Sequence, residues 1–100
     1  MAGREIFNVD PRTLRLPPSR INGADPAKLQ RQIAKHGRSI KGMPLILVYR
    51  ANDDELVIYD GVTRATRVAK LLPGQTVMVE VTDSLKSPGA RYPRVEERLP

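Results

Sequence analysis

The sequence predicts a small α/β (α+β) domain, a mixed β-sheet with packed helices in the order β-α-β-β-α-β. Three observations lead there. One hundred residues, 40% of them hydrophobic, suit a single domain with a thin core. Two segments place apolar residues at the spacing of one helix face, and four short segments are continuously apolar or alternate with period two. Pro, Gly and Asp fall between these segments, where turns are needed.

The elements follow in order. Ile6-Phe7-Asn8-Val9 reads as a first strand, closed by Asp10-Pro11. Leu14 and Leu16 come next, and Pro17-Pro18 forbids a regular element after them. Asp25-Pro26 resembles an N-cap followed by proline at the first helical position, and the helix should run to about His36, with Gly37 as its C-terminal cap. Leu29 and Ile33 would face the core. Leu45-Ile46-Leu47-Val48-Tyr49 is an uninterrupted apolar run, which suggests a strand covered on both faces. The turn Ala51-Asn52-Asp53-Asp54 leads to a returning strand over residues 55–59. Ala65, Val68, Ala69 and Leu72 then mark a second helix, with Thr63, Arg67 and Lys70 on its other side and Pro73-Gly74 as its stop. Val77, Val79 and Val81 alternate with Met78, Glu80 and Thr82 as the last strand. Residues 1–82 therefore form the expected domain, and residues 83–100 an extended or flexible tail.

Charge and composition narrow the function. The net charge of +6 and pI near 10.2 favour an anionic partner, nucleotide or nucleic acid, over a merely soluble basic protein. The absence of cysteine removes disulfides and thiol catalysis, and one histidine without cysteine excludes a His- or Cys-rich metal site. His36 suits the negative end of its helix better than a catalytic role. No apolar run approaches about 18 residues, and no signal-peptide core is visible, so a cytoplasmic protein without a membrane span is expected. With no Trp and one Phe, stacking on single strands is not a main theme.

The densest chemistry lies in Tyr59-Asp60-Gly61-Val62-Thr63-Arg64-Ala65. A strand, a glycine turn and a helix start follow each other there. The first N–H groups of a helix lack internal partners and carry the positive end of its dipole. Gly61 lets a ligand approach the backbone, Thr63 adds a hydroxyl, and Arg64 adds a planar fork for phosphate. Spacing alone leaves a second reading equally open: Asp60 as N-cap, Gly61 as an ordinary turn and Arg64 as a surface charge. Three basic loops are expected to converge at the strand ends: Ser19-Arg20, Arg38-Ser39 with Lys41, and residues 61–67, which include Arg67. Lys28, Arg31 and Lys35 share another helix face, read first as solvated and second as a nucleic-acid contact stripe.

In this order the motifs resemble those of the ParB/sulfiredoxin-like family, in particular ParB N-terminal domains. The resemblance runs from about Val9 to Thr82. It rests on Pro17-Pro18-Ser19-Arg20, on the helix ending in Gly37, and on Gly42-Met43-Pro44-Leu45-Ile46-Leu47-Val48, similar to the family's Gly-x-x-Pro-Ile-x-Val. It rests most on the Gly-x-x-Arg of Gly61 to Arg64. The resemblance implies a nucleoside triphosphate at this turn, touched by Gly61, Thr63 and Arg64, with Arg20 and the loop before Pro44 framing the pocket. Sulfiredoxins carry Cys and His where Val62 and Thr63 stand, so sulfinic-acid reduction is not expected. Partition proteins continue into a helix-turn-helix, whereas this sequence stops at Pro100, so sequence-specific centromere binding is not expected from it.

Hydrolysis would need carboxylates beside the phosphate to hold Mg²⁺ with an NTP and to orient water. Asp60, beside the turn, is the candidate metal ligand and catalytic group, and Glu80, on the last strand, is the second catalytic candidate. Asp53, Asp54 and Glu55 read as turn residues. The expected function is thus a ParB-like phosphate-binding domain for an NTP or a nucleic-acid backbone, with nuclease or NTPase activity as its enzymatic form. The alternatives are a small nuclease toxin and a non-catalytic module whose C-terminal tail docks a protein partner.

Overall fold

A computed structural model describes residues 3–100. The principal elements are β1 (Glu5–Val9), α1 (Pro26–His36), β2 (Ile46–Arg50), β3 (Leu56–Asp60), α2 (Val62–Leu71) and β4 (Val77–Ser84). They form a small α+β domain with a mixed four-stranded sheet, in the expected β-α-β-β-α-β order. The spatial order is β1-β4-β2-β3. β4 lies antiparallel to β1 and parallel to β2, and β3 returns antiparallel to β2. Proline and aspartate end β1 as expected: Asp10 accepts the Arg12 N–H at 3.0 Å and caps a 3-10 turn over Pro11–Thr13.

Valine alternation explains the core. Val77 and Val79 of β4, Ile46 and Val48 of β2, and Ile58 of β3 turn to one side of the sheet. Val62, Ala65, Val68 and Ala69 of α2 pack onto them, with Leu14, Leu16 and Val95 completing the cluster. α1 packs against α2 and buries Leu29. The apolar run of β2 is not covered on both faces. Leu47 and Tyr49 are only half-buried, and Met78 and Tyr59 remain 46% and 58% exposed. β2 is apolar because it runs inside the sheet between β4 and β3, and helix packing closes only one of its faces.

Residues 85–100 lie against the domain rather than trailing from it. The Val95 N–H donates to the Leu14 carbonyl and the Leu16 N–H to the Pro93 carbonyl, each at 2.8 Å. Arg15 pairs with Arg94 on one side and with β3 on the other, through the Leu56 carbonyl and the Ile58 N–H, both at 2.9 Å. This ladder covers the outer edge of β3, which would otherwise expose unpaired backbone. Asp53, expected as turn filling, fastens the same segment. Its carboxylate accepts the N–H groups of Gly89 and Ala90 at 2.9 and 3.0 Å, and those two bonds hold its pKa below the usual carboxylate range. Gly89 is needed for close approach: a Cβ there would lie 2.8 Å from the Glu55 Cβ.

Candidate functional site

The strand-to-helix turn opens a cleft of about 640 Å³, a size suited to a small ligand. α2 and the end of β3 supply Tyr59, Asp60, Gly61, Thr63 and Arg64. The 3-10 turn Pro18–Arg20 supplies Ser19 and Arg20 from the side, and α1 supplies Lys28, Arg31 and Lys35 from across the gap. Five cationic side chains thus face one carboxylate among the described residues.

Gly61 sets the local geometry. Its φ of +116° lies where side chains are strained. A Cβ would meet Arg64 Nη2 at 3.0 Å and Ile46 Cγ1 at 3.1 Å. The residue is also the N-cap of α2, and no side chain accepts the first-turn N–H groups. Asp60 is therefore not the N-cap; it stands one position earlier, with its side chain 62% exposed and 3.5 Å from Arg64. The start of α2 keeps its unsatisfied donors and the positive end of its dipole. Arg64 folds back so that Nη2 donates to the Leu45 carbonyl at 3.0 Å, while its buried Nε has no partner. It therefore serves both as a wall of the cleft and as a tie between α2 and the loop before β2.

The expected residues divide. Arg20, Asp60, Gly61, Thr63 and Arg64 come together at the cleft. Arg67 does not. It is 1% exposed, and its Nη1 donates to the carbonyls of Gly37 and Ser39 at 2.7 and 2.8 Å. Those carbonyls end α1 and begin the next loop, so a buried guanidinium completes the negative end of α1. Burial lowers the Arg67 pKa. The loop over residues 38–41, expected to converge there, is held by this contact and does not line the cleft. Ser39 and Lys41 are exposed there, with the Ser39 hydroxyl accepting the Lys41 N–H at 3.2 Å. Glu80 also lies elsewhere. It sits between Val79 and Val81 on β4, and its two carboxylate oxygens accept from Arg4 Nη2 and Nε at 2.8 and 2.9 Å. That pairing lowers its pKa and commits its carboxylate to a surface bridge.

Sequence reading gave less weight to two contributors. The Lys28, Arg31 and Lys35 stripe faces the cleft rather than bulk solvent alone, and only the packing of α1 against α2 reveals what lies opposite. Tyr59 carried no ligand role, although its position two residues before Gly61 placed it at the turn. Among the described residues no group of three or more His, Cys, Asp or Glu side chains is arranged to hold a metal, and no helix is long and apolar enough to cross a membrane.

Comparison with known proteins bears on the fold. No family model matches the chain, and no curated protein matches it. The crystal structure of protein Atu1540 from Agrobacterium tumefaciens superimposes with a TM-score of 0.67 over 97% of this chain, at 11% sequence identity. This chain spans 62% of that protein's chain. A likeness at that identity concerns the fold alone.

Proposed function

We propose that this domain binds phosphate, as a nucleoside triphosphate or along a nucleic-acid backbone, at the start of α2. One observation carries the reading. The helix N-terminus at Gly61, without a side-chain cap, opens into a cleft where, among the described residues, Arg20, Lys28, Arg31, Lys35 and Arg64 meet a single carboxylate. Backbone donors, the helix dipole and cationic side chains all favour negative charge in the same place. The ParB/sulfiredoxin-like assignment belongs to this proposal. It rests on the order of Pro17 to Arg20, Gly42 to Val48 and Gly61 to Arg64 in the sequence, and it agrees with a nucleotide at this turn.

Asp60 gives the proposal a place for Mg²⁺. This cation usually keeps several waters and binds one or two carboxylates together with substrate phosphates, so a complete protein cage is not required. An exposed carboxylate at the rim of the cleft fits that mode. A bound Mg²⁺ would neutralise phosphate charge and polarise a phosphoryl oxygen. Hydrolysis of an NTP or a nucleic acid is the catalytic extension of this reading, with Asp60 the carboxylate to test.

The test is thermal melting with ATP, CTP, GTP and inorganic tripolyphosphate, each with and without Mg²⁺. Arg64→Ala alone is ambiguous, because Arg64 also holds the Leu45 carbonyl. Lys28→Glu with Arg31→Glu changes only exposed side chains of α1. A ligand present at 100 times its Kd stabilises by about 2.7 kcal/mol, which raises the melting temperature of a domain this size by about 10–20 °C. The rise should shrink in the double variant and fall with added salt. No rise with any phosphate ligand, followed by no salt-dependent binding of DNA or RNA, would refute the proposal.

A further inference from the structure

The two outer edges of the sheet end differently. The edge of β3 is covered by the ladder through Arg15 and Arg94. β1 forms the other edge, and its outer side has no backbone partner among the described residues. An open edge is a template for another strand, and folded proteins blunt it with proline, lysine, a bulge or a cover. β1, with the sequence Glu5-Ile6-Phe7-Asn8-Val9, carries no proline and no lysine, and it pairs with β4 at five consecutive positions without a bulge. Its one charge is already neutralised, because Glu5 accepts from Arg50 Nη1 at 2.8 Å. Its apolar side chains are also incompletely covered. Phe7 and Val9 pack against the core and Ile6 points to the opposite face, yet all three stay half-buried.

The strand is complementary to itself. Let two copies meet antiparallel, with Phe7 on the two-fold axis. Phe7 then faces the partner's Phe7, and the two half-buried rings cover one another. Ile6 faces the partner's Asn8, and Arg4 faces the partner's Asp10. Opposite residues of an antiparallel pair share one face of the sheet, so each cation meets a carboxylate, and symmetry repeats the pair at the other end. Both groups are accessible. Arg4 bonds Glu80 through Nε and Nη2, yet its side chain is 67% exposed. Asp10 bonds Arg12 but keeps 32% exposure on extended backbone. Pro11, which lacks an N–H, closes the pairing after it. We propose that β1 is a dimerisation edge whose occupant is a second copy of this chain, so that two four-stranded sheets join into one of eight. The proposal is independent of the phosphate-binding reading. β3, whose end leads into the cleft, is the sheet edge remote from β1, so pairing through β1 leaves both clefts open.

Sedimentation velocity reads the dimer in a concentration series from about 1 μM to 1 mM. Pairing along one short strand buries an area at the small end of protein interfaces, so half-dissociation is expected at about 10–100 μM. Arg4→Glu and Asp10→Lys should each weaken the dimer about tenfold, because like charges then face each other at both ends of the pair. Mixed in equal amounts, the two variants should dimerise again. The introduced glutamate then meets the introduced lysine, and the remaining Arg4 meets the remaining Asp10. Loss of the bridge to Glu80 or to Arg12 within one chain is not repaired by mixing. Hydrogen exchange of the wild type needs no variant and decides the matter if either variant fails to fold. Raising the concentration should protect alternate amides of β1 and leave those around the cleft unchanged. A single-chain mass up to about 1 mM overturns the proposal, as do folded variants that stay monomeric when mixed. Dimerisation that protects the strands around Leu47, Tyr59 and Met78 instead of β1 also overturns it, and assigns the contact to the open face of the sheet.

Discussion

Replacing Arg67 by methionine separates a structural cation from a ligand-binding one. The guanidinium is buried and makes two short bonds to carbonyls, at 2.7 and 2.8 Å. Hydrogen bonds to a charged group contribute about 1.5–3 kcal/mol each, so the variant forfeits about 3–6 kcal/mol of gross interaction. Two effects return part of it. Gly37 is half-buried and Ser39 is exposed, so their freed carbonyls regain some water. Methionine also retains much of the apolar stem and removes the desolvation cost of a buried cation. A net loss of about 2 kcal/mol remains, which for a domain of this size lowers the melting temperature by about 8–16 °C. Thermal melting reads the loss. Hydrogen exchange at the Ser39 and Met43 amides, whose bonds to His36 and Ile40 close the adjoining turns, should accelerate first. Ligand-induced stabilisation should persist, because Arg67 does not line the cleft. An unchanged or raised melting temperature would refute the structural account. A normal melting temperature with loss of the nucleotide response would return Arg67 to the site.

Three further perturbations test the frame around the cleft. Gly61→Ala forces a Cβ into a left-handed position against Ile46 and Arg64; melting should show a loss of about 1–3 kcal/mol, and nucleotide stabilisation should weaken with it. Val95→Ala removes two buried methyl groups and leaves a cavity between the C-terminal segment and the core, so denaturant unfolding should show a loss of about 2 kcal/mol and limited proteolysis should cut residues 85–94 faster. Asp53→Asn tests the carboxylate that fastens Gly89 and Ala90. Because the folded-state pKa of Asp53 is lowered, its contribution is fully present above the unfolded value of about 4 and is lost as pH falls through the lower folded value. The stability gap between wild type and variant should therefore be constant near neutral pH and close below about pH 4; a gap independent of pH would remove the charge from the explanation.

Local periodicity made most of the fold legible. Alternating valines at 77, 79 and 81 marked β4, and Ala65, Val68 and Ala69 marked the buried face of α2, because one face of each element has to leave water. Asp25-Pro26 and Gly37 bracketed α1 through backbone preferences that act within a few residues. Gly61, Thr63 and Arg64 were legible for the same reason, since a glycine turn at a helix start is a local event. Arg67 was not. On a helical wheel it falls outside the apolar face, and its burial comes from the end of α1 and the loop over residues 37–43, 24 to 30 residues away in sequence. Residues 95–99 read as one helical turn, which the 3-10 helix Val95–Arg98 bears out, but the burial of Val95 was not legible, because a single valine among charged residues has no period to betray it.

The sequence by itself thus determined the kinds of element, their order and the conformation of one turn, because backbone conformation and side-chain periodicity act over short stretches. Only the tertiary structure decided which cations share a cleft, which carboxylate stands beside them and which aromatic ring is left open. It placed Lys28, Arg31 and Lys35 opposite Gly61 and paired Glu80 with Arg4. It also drew Tyr49 and Tyr59 together across two strands. The physical reason is that charge and stacking act through space, while the sequence orders residues only along the chain.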